Sequence, residues 1–362
     1  MATLANISNR NNFNIFRLIF AIFVLITHSF VLSGNAIKEP LGLLTNGQIN
    51  FSYVGLRGFF TISGFLIFQS YERSSSGLEF MWKRILRILP GLFAISALTI
   101  FIVCPLISSY PIDLYFSDNN NYYLFFESID PLFQRNIHAS ASGVFKTNVY
   151  TDQINGSLWT ISYEFLFYVG FLFLFIKKNK VVQFIAISLA VVFLIFFKLR
   201  YLDPWFKYDI YIYNTKFLVK ALVDFLMFFS LGAFCGVLRY DKLSKKTHQR
   251  IVGSSIVIII ALIRLSLFNN FYLYLLVPLI LSIGLLNIGK YDITVKIGDI
   301  SYGIYLASFF IQQLLMSIYL FGPYTLLFFS LSLSIIYGLF SWNYIEKPFL
   351  LYKGVFKKSE RW

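Results

Sequence analysis

The sequence has few of the residues on which soluble enzymes and metal proteins depend. Only 13% of its 362 residues are charged, whereas soluble globular domains contain about 25%. Cys104 and Cys235 are the two cysteines, and they lie in separate apolar segments without the spacing of metal ligands or of a disulfide framework. Long polar tails are also missing. We therefore expect buried, unreactive thiols, no metal site and no separate soluble catalytic domain.

Apolar segments make up most of the chain instead. Hydrophobic residues account for 57% of the sequence, and they recur in runs of the roughly 20 residues that a membrane-spanning helix needs. The pattern predicts an all-α polytopic integral membrane protein with about ten transmembrane helices. The predicted helices cover about 13–33, 51–71, 88–108, 157–176, 181–197, 217–238, 251–268, 271–289, 298–320 and 323–344.

The net charge of +14 is consistent with membrane insertion rather than nucleic-acid binding, because the basic residues form short runs between apolar segments. These runs fall mainly on one side of the predicted helices, so the positive-inside rule places the N and C termini in the cytoplasm. We expect a membrane domain over residues 1–350, with an extracytoplasmic loop at about 109–156, and a short basic cytoplasmic tail at 351–362.

Two ionisable residues stand within the first predicted helix, where such residues are costly and commonly functional. Arg17 and His28 are eleven residues apart, which leaves them about 20° apart on one helix face and separated by ~16 Å along the axis. A single membrane histidine is also compatible with a simple hydrogen bond between helices. The shared face favours a functional role for both residues.

Two further clusters are predicted near the cytoplasmic face. Ser63 and Gly64 are small residues in the second helix, typical of close helix packing. Arg84 and Arg87 are spaced i and i+3, so their guanidinium groups share a face and suit a phosphorylated ligand. Ordinary positive-inside anchoring is the alternative interpretation of the arginine pair. Arg57, near the outer end of the second helix, is compatible with snorkelling to the interface.

A carboxylate in the fourth helix completes the candidate chemistry. Counting from the predicted outer ends of the helices, Glu164 lies ~10 Å deep and His28 ~8 Å deep. At matching depth, Glu164 is expected to orient the His28 imidazole and to stabilise its charged form.

Together these residues form a recognisable series that spans nearly the whole chain. The sequence resembles the acyltransferase-3 family of membrane acyltransferases, which O-acetylate bacterial surface polysaccharides and related glycans. Individually weak, the motifs are specific as an ordered set. The matching stretches are Asn14-Ile15-Phe16-Arg17 through His28, Phe59-Phe60-Thr61-Ile62-Ser63-Gly64-Phe65, Arg84-Ile85-Leu86-Arg87, Leu158-Trp159-Thr160-Ile161-Ser162-Tyr163-Glu164, Ser301-Tyr302-Gly303-Ile304-Tyr305-Leu306 and Glu346-Lys347-Pro348.

The resemblance implies an acyl-CoA donor, acetyl-CoA above all, and a glycan acceptor on the other side of a bacterial inner membrane. Arg84 and Arg87 are expected to hold the CoA phosphates, and the motifs place Ser63 and Tyr302 in the same donor site. Arg17 is expected near the channel entrance, as part of the catalytic group.

On the acceptor side, the resemblance and the chemistry of the side chains assign two roles. His28 is expected to act as general base on an acceptor hydroxyl or to carry the acyl group, with Glu164 as its partner. Asn155, Trp159 and Tyr163 are expected to contact the glycan, which is either a surface polysaccharide or a lipid-linked glycan.

The chain departs from the family pattern in three places. Asn14 replaces an acidic residue, Leu56-Arg57-Gly58 precedes the paired Phe of the second helix where an acidic residue is common, and Ser308 replaces a frequent histidine. These differences concern the acceptor more than the type of reaction. A lipid-linked glycan flippase, a polymerase or a small-solute transporter remains the alternative, because each shares the membrane helices, the polar outer loop and the buried charges.

Overall fold

The protein is a bundle of membrane-spanning helices, as its composition predicts. The computed structural model describes residues 11–132, 141–151, 153–175, 210–212, 215–286 and 294–355, together with 184, 187–188 and 190–192. Seven helices within these ranges are long and apolar enough to cross a membrane. The predicted helix at 181–197 lies almost entirely outside the described residues.

The helices are numbered in chain order. They are α1 (Phe13–Leu32), α2 (Pro40–Leu44), α3 (Phe51–Arg73), α4 (Gly77–Ile107), α5 (Ile112–Ser117), α6 (Asn119–Ile129), α7 (Trp159–Leu172), α8 (Val219–Val237), α9 (Lys245–Arg264), α10 (Phe268–Leu285), α11 (Thr294–Ile297), α12 (Ser301–Ile318) and α13 (Pro323–Gly354). Before α8, the strands β1 (Ile210–Ile212) and β2 (Thr215–Phe217) form a small antiparallel hairpin, with Ile210 opposite Phe217.

Two helices begin or end well away from the predicted boundaries. The third predicted span was placed at 88–108, but α4 begins at Gly77, where the Ser76 side chain accepts a hydrogen bond from the Glu79 amide and caps the helix. The last helix continues to Gly354 through a π-helical turn at Ser341–Glu346. Both extensions carry charged residues into the side of the bundle at which α1 begins, here called the N-terminal side.

The opposite side, here called the loop side, carries α5 and α6. The predicted polar loop at about 109–156 is therefore partly helical, and these helices enclose a small apolar core of their own. Tyr115 and Phe125 pack in it against Val144 and Phe145. Tyr115 is fully buried and donates a 2.8 Å hydrogen bond to the carbonyl of Ile100, which ties the loop to the end of α4.

Close packing between helices depends on glycine at a few positions, since lipid tails provide no hydrophobic force to hold helices together. A Cβ added to Gly64 of α3 would lie 1.9 Å from the carbonyl oxygen of Phe229 in α8. One added to Gly232 of α8 would lie 2.2 Å from the carbonyl oxygen of Thr61. The predicted packing role of Gly64 is confirmed.

A buried ion pair joins the same helices nearer the loop side. Arg57 of α3 does not snorkel to the membrane surface; its Nη2 lies 2.5 Å from Oδ2 of Asp224 in α8. Tyr272 of α10 donates a 2.5 Å hydrogen bond to the other oxygen of Asp224. The centre of the Tyr53 ring lies 3.3 Å from the guanidinium carbon of Arg57. The pair satisfies two charges whose separate burial would cost several kcal/mol.

The part of the chain that directly precedes α7 runs along α12 into the bundle, as contacts of Asn148 and Asn155 show. Near the loop side, the Asn148 side chain donates a 2.8 Å hydrogen bond to the carbonyl of Gln313. Seven residues earlier on α12, ~10 Å closer to the N-terminal side, the carbonyl of Leu306 accepts a 2.7 Å hydrogen bond from Asn155. Non-helical backbone at this depth is tolerated because it is buried against protein. We call residues 148–151 and 153–158 the re-entrant segment.

Because the re-entrant segment supplies the first part of the crossing, α7 begins inside the bundle. It spans only 14 residues, or ~21 Å. Its far end lies at the N-terminal side, where Tyr71 at the end of α3 donates a 2.9 Å hydrogen bond to the carbonyl of Leu174. The prediction that Glu164 lies close to the outer face assumed a full-length span and is therefore wrong in depth.

Candidate active site

A cavity of about 360 Å³ lies among α1, α3, α4, α7, α12 and the end of α13. It extends from exposed Arg73 and Lys353 at the N-terminal side to buried Thr160 and Tyr305 within the bundle. Six of the predicted site residues line it: Arg17, Ser63, Arg84, Arg87, Glu164 and Tyr302. His28, Asn155, Trp159 and Tyr163 do not line it.

The cavity wall is strongly positive. Two carboxylates line it, those of Glu164 and Asp299. The cationic side chains in the wall outnumber them and are Arg17, Arg73, Lys83, Arg84, Arg87 and Lys353. Partial burial reduces screening by salt, so the cavity concentrates anions.

Arg87 is the centre of a buried ion network that joins three parts of the chain. One Nη of Arg87 donates to Asp299 at 2.6 Å, and the other donates to Glu346 at 3.3 Å. Ser301 and Ser341 donate to the same two carboxylates, at 2.5 Å and 3.0 Å. Both Nη groups of Arg87 are therefore bonded to protein carboxylates. The contact with Glu346 stabilises the packing of α13 on α4.

Arg17 reaches the same network from α1. Its Nη1 lies 3.7 Å from Oδ2 of Asp299, so two guanidinium groups share one carboxylate. Burial raises the pKa of Asp299, but the Arg87 and Arg17 charges outweigh it and hold that pKa below its ordinary value. A stable negative charge at Asp299 thus fixes the positions of both arginines.

Arg84 differs from Arg87, although the two lie one turn apart on the same face of α4. Its Nη2 contacts the hydroxyl of Ser70 at 3.2 Å, and its guanidinium lies 5.8 Å from the centre of the Tyr168 ring. Its Nε is buried and makes no hydrogen bond with any residue that the structure describes. Within the described part of the chain, no carboxylate lies within ion-pair distance of Arg84. An anion in the cavity is the partner that this side chain lacks.

Two more lining cations are available at the mouth. Arg73, at the end of α3, and Lys353, at the end of α13, have no carboxylate within 4.0 Å among the described residues, whereas Lys83 pairs with Glu79 at 2.5 Å. Neither Arg73 nor Lys353 was predicted to be part of a site. In the sequence, these two residues are distinguished only by their position in the basic runs that follow apolar segments.

Glu164 lies deeper in the cavity, between α3 and α7. Ser63 donates a 2.7 Å hydrogen bond to its Oε1, and the hydroxyl of Tyr168 donates to the same oxygen. Other hydroxyl residues in α1 and α3, such as Ser29 and Thr61, donate to the carbonyl four residues earlier in their own helix. Ser63 instead directs its hydroxyl across the cavity wall to a carboxylate, which fixes Glu164 in the site.

Tyr302 and Tyr305 of α12 line the cavity on the opposite wall. Tyr302 donates a 2.9 Å hydrogen bond to the carbonyl of Ile88 in α4, and its ring lies 5.6 Å from the guanidinium carbon of Arg87. The ring of Tyr305 meets Phe59 edge-on at 5.8 Å. The motif that contains both tyrosines was recognised from the sequence, but Tyr305 was not singled out.

His28 lies outside the cavity, toward the loop side. Its ring packs edge-on against Phe309 at 5.1 Å, and its buried Nδ1 has no hydrogen-bond partner among the described residues. The adjacent Thr27 accepts a 2.8 Å hydrogen bond from the amide of Ser52, which sets the level of His28 against α3. Ser63, which holds Glu164, is eleven residues after Ser52 along α3, or ~16 Å closer to the N-terminal side. The predicted matching depth of His28 and Glu164 is wrong, and the two side chains are not paired.

The three predicted glycan contacts are engaged in packing. Asn155 bonds to α12, as described above. Trp159 packs against Phe225 with the two rings tilted and their centres 5.6 Å apart. Tyr163 is buried and accepts a 2.9 Å hydrogen bond from the amide of Leu218. The structure brings all three close to the inner end of α7 rather than to the loop-side surface, and a role in glycan binding stays a prediction.

The chain shares its pattern with known acyltransferases. A family model described as an acyltransferase domain matches residues 10–342. The chain is 27% identical over 357 residues to an O-acetyl transferase of Shigella phage Sf6. The aligned region covers 94% of this chain and 96% of that protein.

A second relative matches a shorter region. Nodulation protein 10 of Rhizobium leguminosarum bv. viciae is 42% identical over 85 residues, which is 24% of this chain and 23% of that protein. No solved structure matches the chain.

The family match contains every residue of the cavity wall except Leu350 and Lys353. Its extent, and the full-length similarity to an O-acetyl transferase, agree with a polytopic fold that carries charged side chains within the membrane. The chain therefore belongs to the acyltransferase-3 family and is a membrane O-acyltransferase.

Proposed function

We propose that the protein transfers an acetyl group from cytoplasmic acetyl-CoA to a hydroxyl group of an extracytoplasmic glycan in the bacterial inner membrane. The observation that carries this proposal is the positive cavity with Arg84 unpaired at its wall. A coenzyme with several phosphate groups at one end and a thioester at the other matches a cavity with cations at its mouth and aromatic rings at its inner end.

The donor phosphates bind to the cations that have no carboxylate partner. Arg84 presents a planar guanidinium suited to bidentate phosphate contact, while Arg73 and Lys353 act as point charges at the mouth. Arg87 holds the wall in place through Asp299 and Glu346 and is not free to bind phosphate. This division refines the predicted donor site, in which Arg84 and Arg87 were equivalent.

The charge pattern of the loops supports the orientation of this site. Basic runs cluster on the N-terminal side, so the positive-inside rule makes that side cytoplasmic. The mouth of the cavity then opens to the compartment that contains acyl-CoA. The re-entrant segment and the loop-side helices face the compartment in which a surface polysaccharide or a lipid-linked glycan is found.

His28 is the base that acts on the acceptor hydroxyl. It lies ~16 Å beyond Ser63 and Glu164 toward the loop side, and its unpartnered Nδ1 has the capacity to accept a proton. The pantetheine arm is the part of CoA that spans the distance from the phosphates at the mouth to the thioester at the inner end. Arg17, Ser63 and Glu164 line the path of this arm.

Reconstitution in vesicles tests the proposal. Protein supplied with acetyl-CoA on the N-terminal side and an acceptor glycan on the loop side is expected to release free CoA and to add an acetyl group to the glycan. Mass spectrometry of surface glycans from cells with and without the protein is the matching observation in vivo. Movement of glycan or solute across the vesicle without acyl transfer would support a flippase or transporter and overturn the proposal.

A further inference from the structure

Two aromatic rings separate the cavity from His28. Tyr305 is part of the cavity wall, and Phe309, one helical turn further toward the loop side, packs on the His28 ring at 5.1 Å. Phe59 closes on Tyr305 from α3, with ring centres 5.8 Å apart. In this arrangement the cavity ends at Tyr305, and a thioester inside it does not reach the imidazole.

The hydroxyl group of Tyr305 is fixed by the segment that descends from the loop side. It donates a 2.6 Å hydrogen bond to the carbonyl of Ser157 and accepts one from the hydroxyl of Thr160, at the start of α7. All three residues are buried. The same segment also supports Phe309, because a Cβ added to Gly156 would lie 2.7 Å from its ring.

These contacts connect the barrier to the acceptor side. The re-entrant segment begins near the loop side at Asn148 and ends at Leu158, two residues before Thr160, the α7 residue that holds Tyr305. A shift of this segment, as an acceptor settles against its loop-side part, removes the Ser157 carbonyl from Tyr305 and, because α7 follows directly, also moves Thr160 away. The ring is then free to rotate on its Cα–Cβ bond and to open the end of the cavity.

We propose that Tyr305 controls the passage of the acyl thioester from the cavity to His28, and that the re-entrant segment holds it closed until an acceptor is present. This inference rests on the proposed function, because it assumes a thioester in the cavity. Its chemical consequence is protection of the donor: a thioester kept away from His28 is not hydrolysed when no glycan is available.

Accessibility of position 28 from the cavity tests this barrier without requiring any acyl transfer. Cys104 and Cys235 are first replaced by serine, and His28→Cys then supplies a single thiol. In vesicles with the N-terminal side facing the medium, a small negatively charged methanethiosulfonate is added and the rate of labelling is measured. The rate is expected to be low with Tyr305 present.

Tyr305→Phe keeps the ring and loses the hydrogen bonds, so labelling is expected to rise about tenfold, the equivalent of one or two net hydrogen bonds. Tyr305→Ala removes the ring and is expected to accelerate labelling further. Tyr302→Ala is the matched control: it removes a ring from the same helix and the same cavity, but not from the path to position 28, and is expected to leave the rate unchanged.

The outcomes separate this inference from the proposed function. Unchanged labelling in both Tyr305 variants, or equal acceleration by Tyr302→Ala, would overturn the barrier even if the wild-type protein acetylates a glycan. Faster labelling in the Tyr305 variants would support the barrier even if acyl transfer is not found. Thermal unfolding of each variant identifies a misfolded protein, and the conservative Tyr305→Phe then carries the test.

Discussion

The guanidinium group of Arg87 donates a 2.6 Å hydrogen bond to the carboxylate of Asp299. Asp299 is 212 residues later in the chain, and folding places it beside α4. One turn away on the same helix face, Arg84 has no carboxylate partner in the described part of the chain. Two arginines that are equivalent in the sequence motif therefore have different physical roles. Arg87 stabilises the packing of α4 against other segments, and Arg84 is available to a ligand.

Arg84→Ala is expected to weaken donor binding by at least about tenfold, because it removes a charge-assisted phosphate contact, and to leave thermal stability nearly unchanged. Titration calorimetry with CoA at two salt concentrations measures this, and the wild-type affinity is expected to fall as salt rises. Arg239→Ala is the control, since Arg239 pairs with Glu72 on the same side of the bundle outside the cavity. Unchanged CoA affinity in Arg84→Ala would contradict the assignment.

Arg87→Gln is expected to reduce stability by about 3–5 kcal/mol, because Glu346 would remain buried without its counter-charge and Asp299 would keep only the more distant Arg17, at 3.7 Å. Asp299→Asn in the same protein is expected to recover part of the loss. A double-mutant cycle on the free energy of unfolding measures the coupling between the two positions. Additive effects would show that the 2.6 Å contact does not contribute to stability.

His28→Ala is expected to lower acyl transfer by about 100-fold to 10,000-fold, the usual contribution of a general base. CoA affinity is expected to stay at the wild-type value, because His28 lies outside the cavity. Comparing the transfer rate with the dissociation constant for CoA separates the two effects. A variant that loses CoA binding, or that keeps full activity, would show that His28 has another role.

Gly64→Ala is expected to destabilise the bundle by about 1–3 kcal/mol, the usual effect of overpacking, because its Cβ would lie 1.9 Å from the backbone of Phe229. Gly253→Ala in α9 is the matched control, since a Cβ there meets no atom within 4 Å. Unfolding of both variants in detergent measures the difference. Equal stability would show that α3 and α8 separate without cost.

Local properties of the chain were sufficient to predict much of this protein. Apolar runs identified the membrane helices, because the free energy of transferring a segment into lipid depends mainly on its own residues. Helical spacing placed Arg84 and Arg87 on one face, and both line the same cavity. The ordered motifs indicated the acyltransferase family, which the family match confirms.

The sequence alone misplaced Glu164. Its depth was counted from a membrane surface under the assumption that its helix crosses the whole bilayer. The re-entrant segment makes the first part of that crossing instead, and it is held by hydrogen bonds to Gln313 and Leu306 far along the chain. Hydrogen bonds between distant segments leave no periodic pattern in the sequence, so the spacing of apolar residues does not predict them.

Membrane insertion, the helix faces and the set of polar residues inside the bilayer were thus determined by the sequence itself, since each follows from neighbouring residues along one helix. The tertiary structure decided which charges neutralise one another and which remain for a ligand. It also placed Glu164 beside Ser63 and left His28 behind Tyr305 and Phe309. The physical reason is that ion pairs, hydrogen bonds and depth depend on distances between segments far apart in the chain, and folding alone sets those distances.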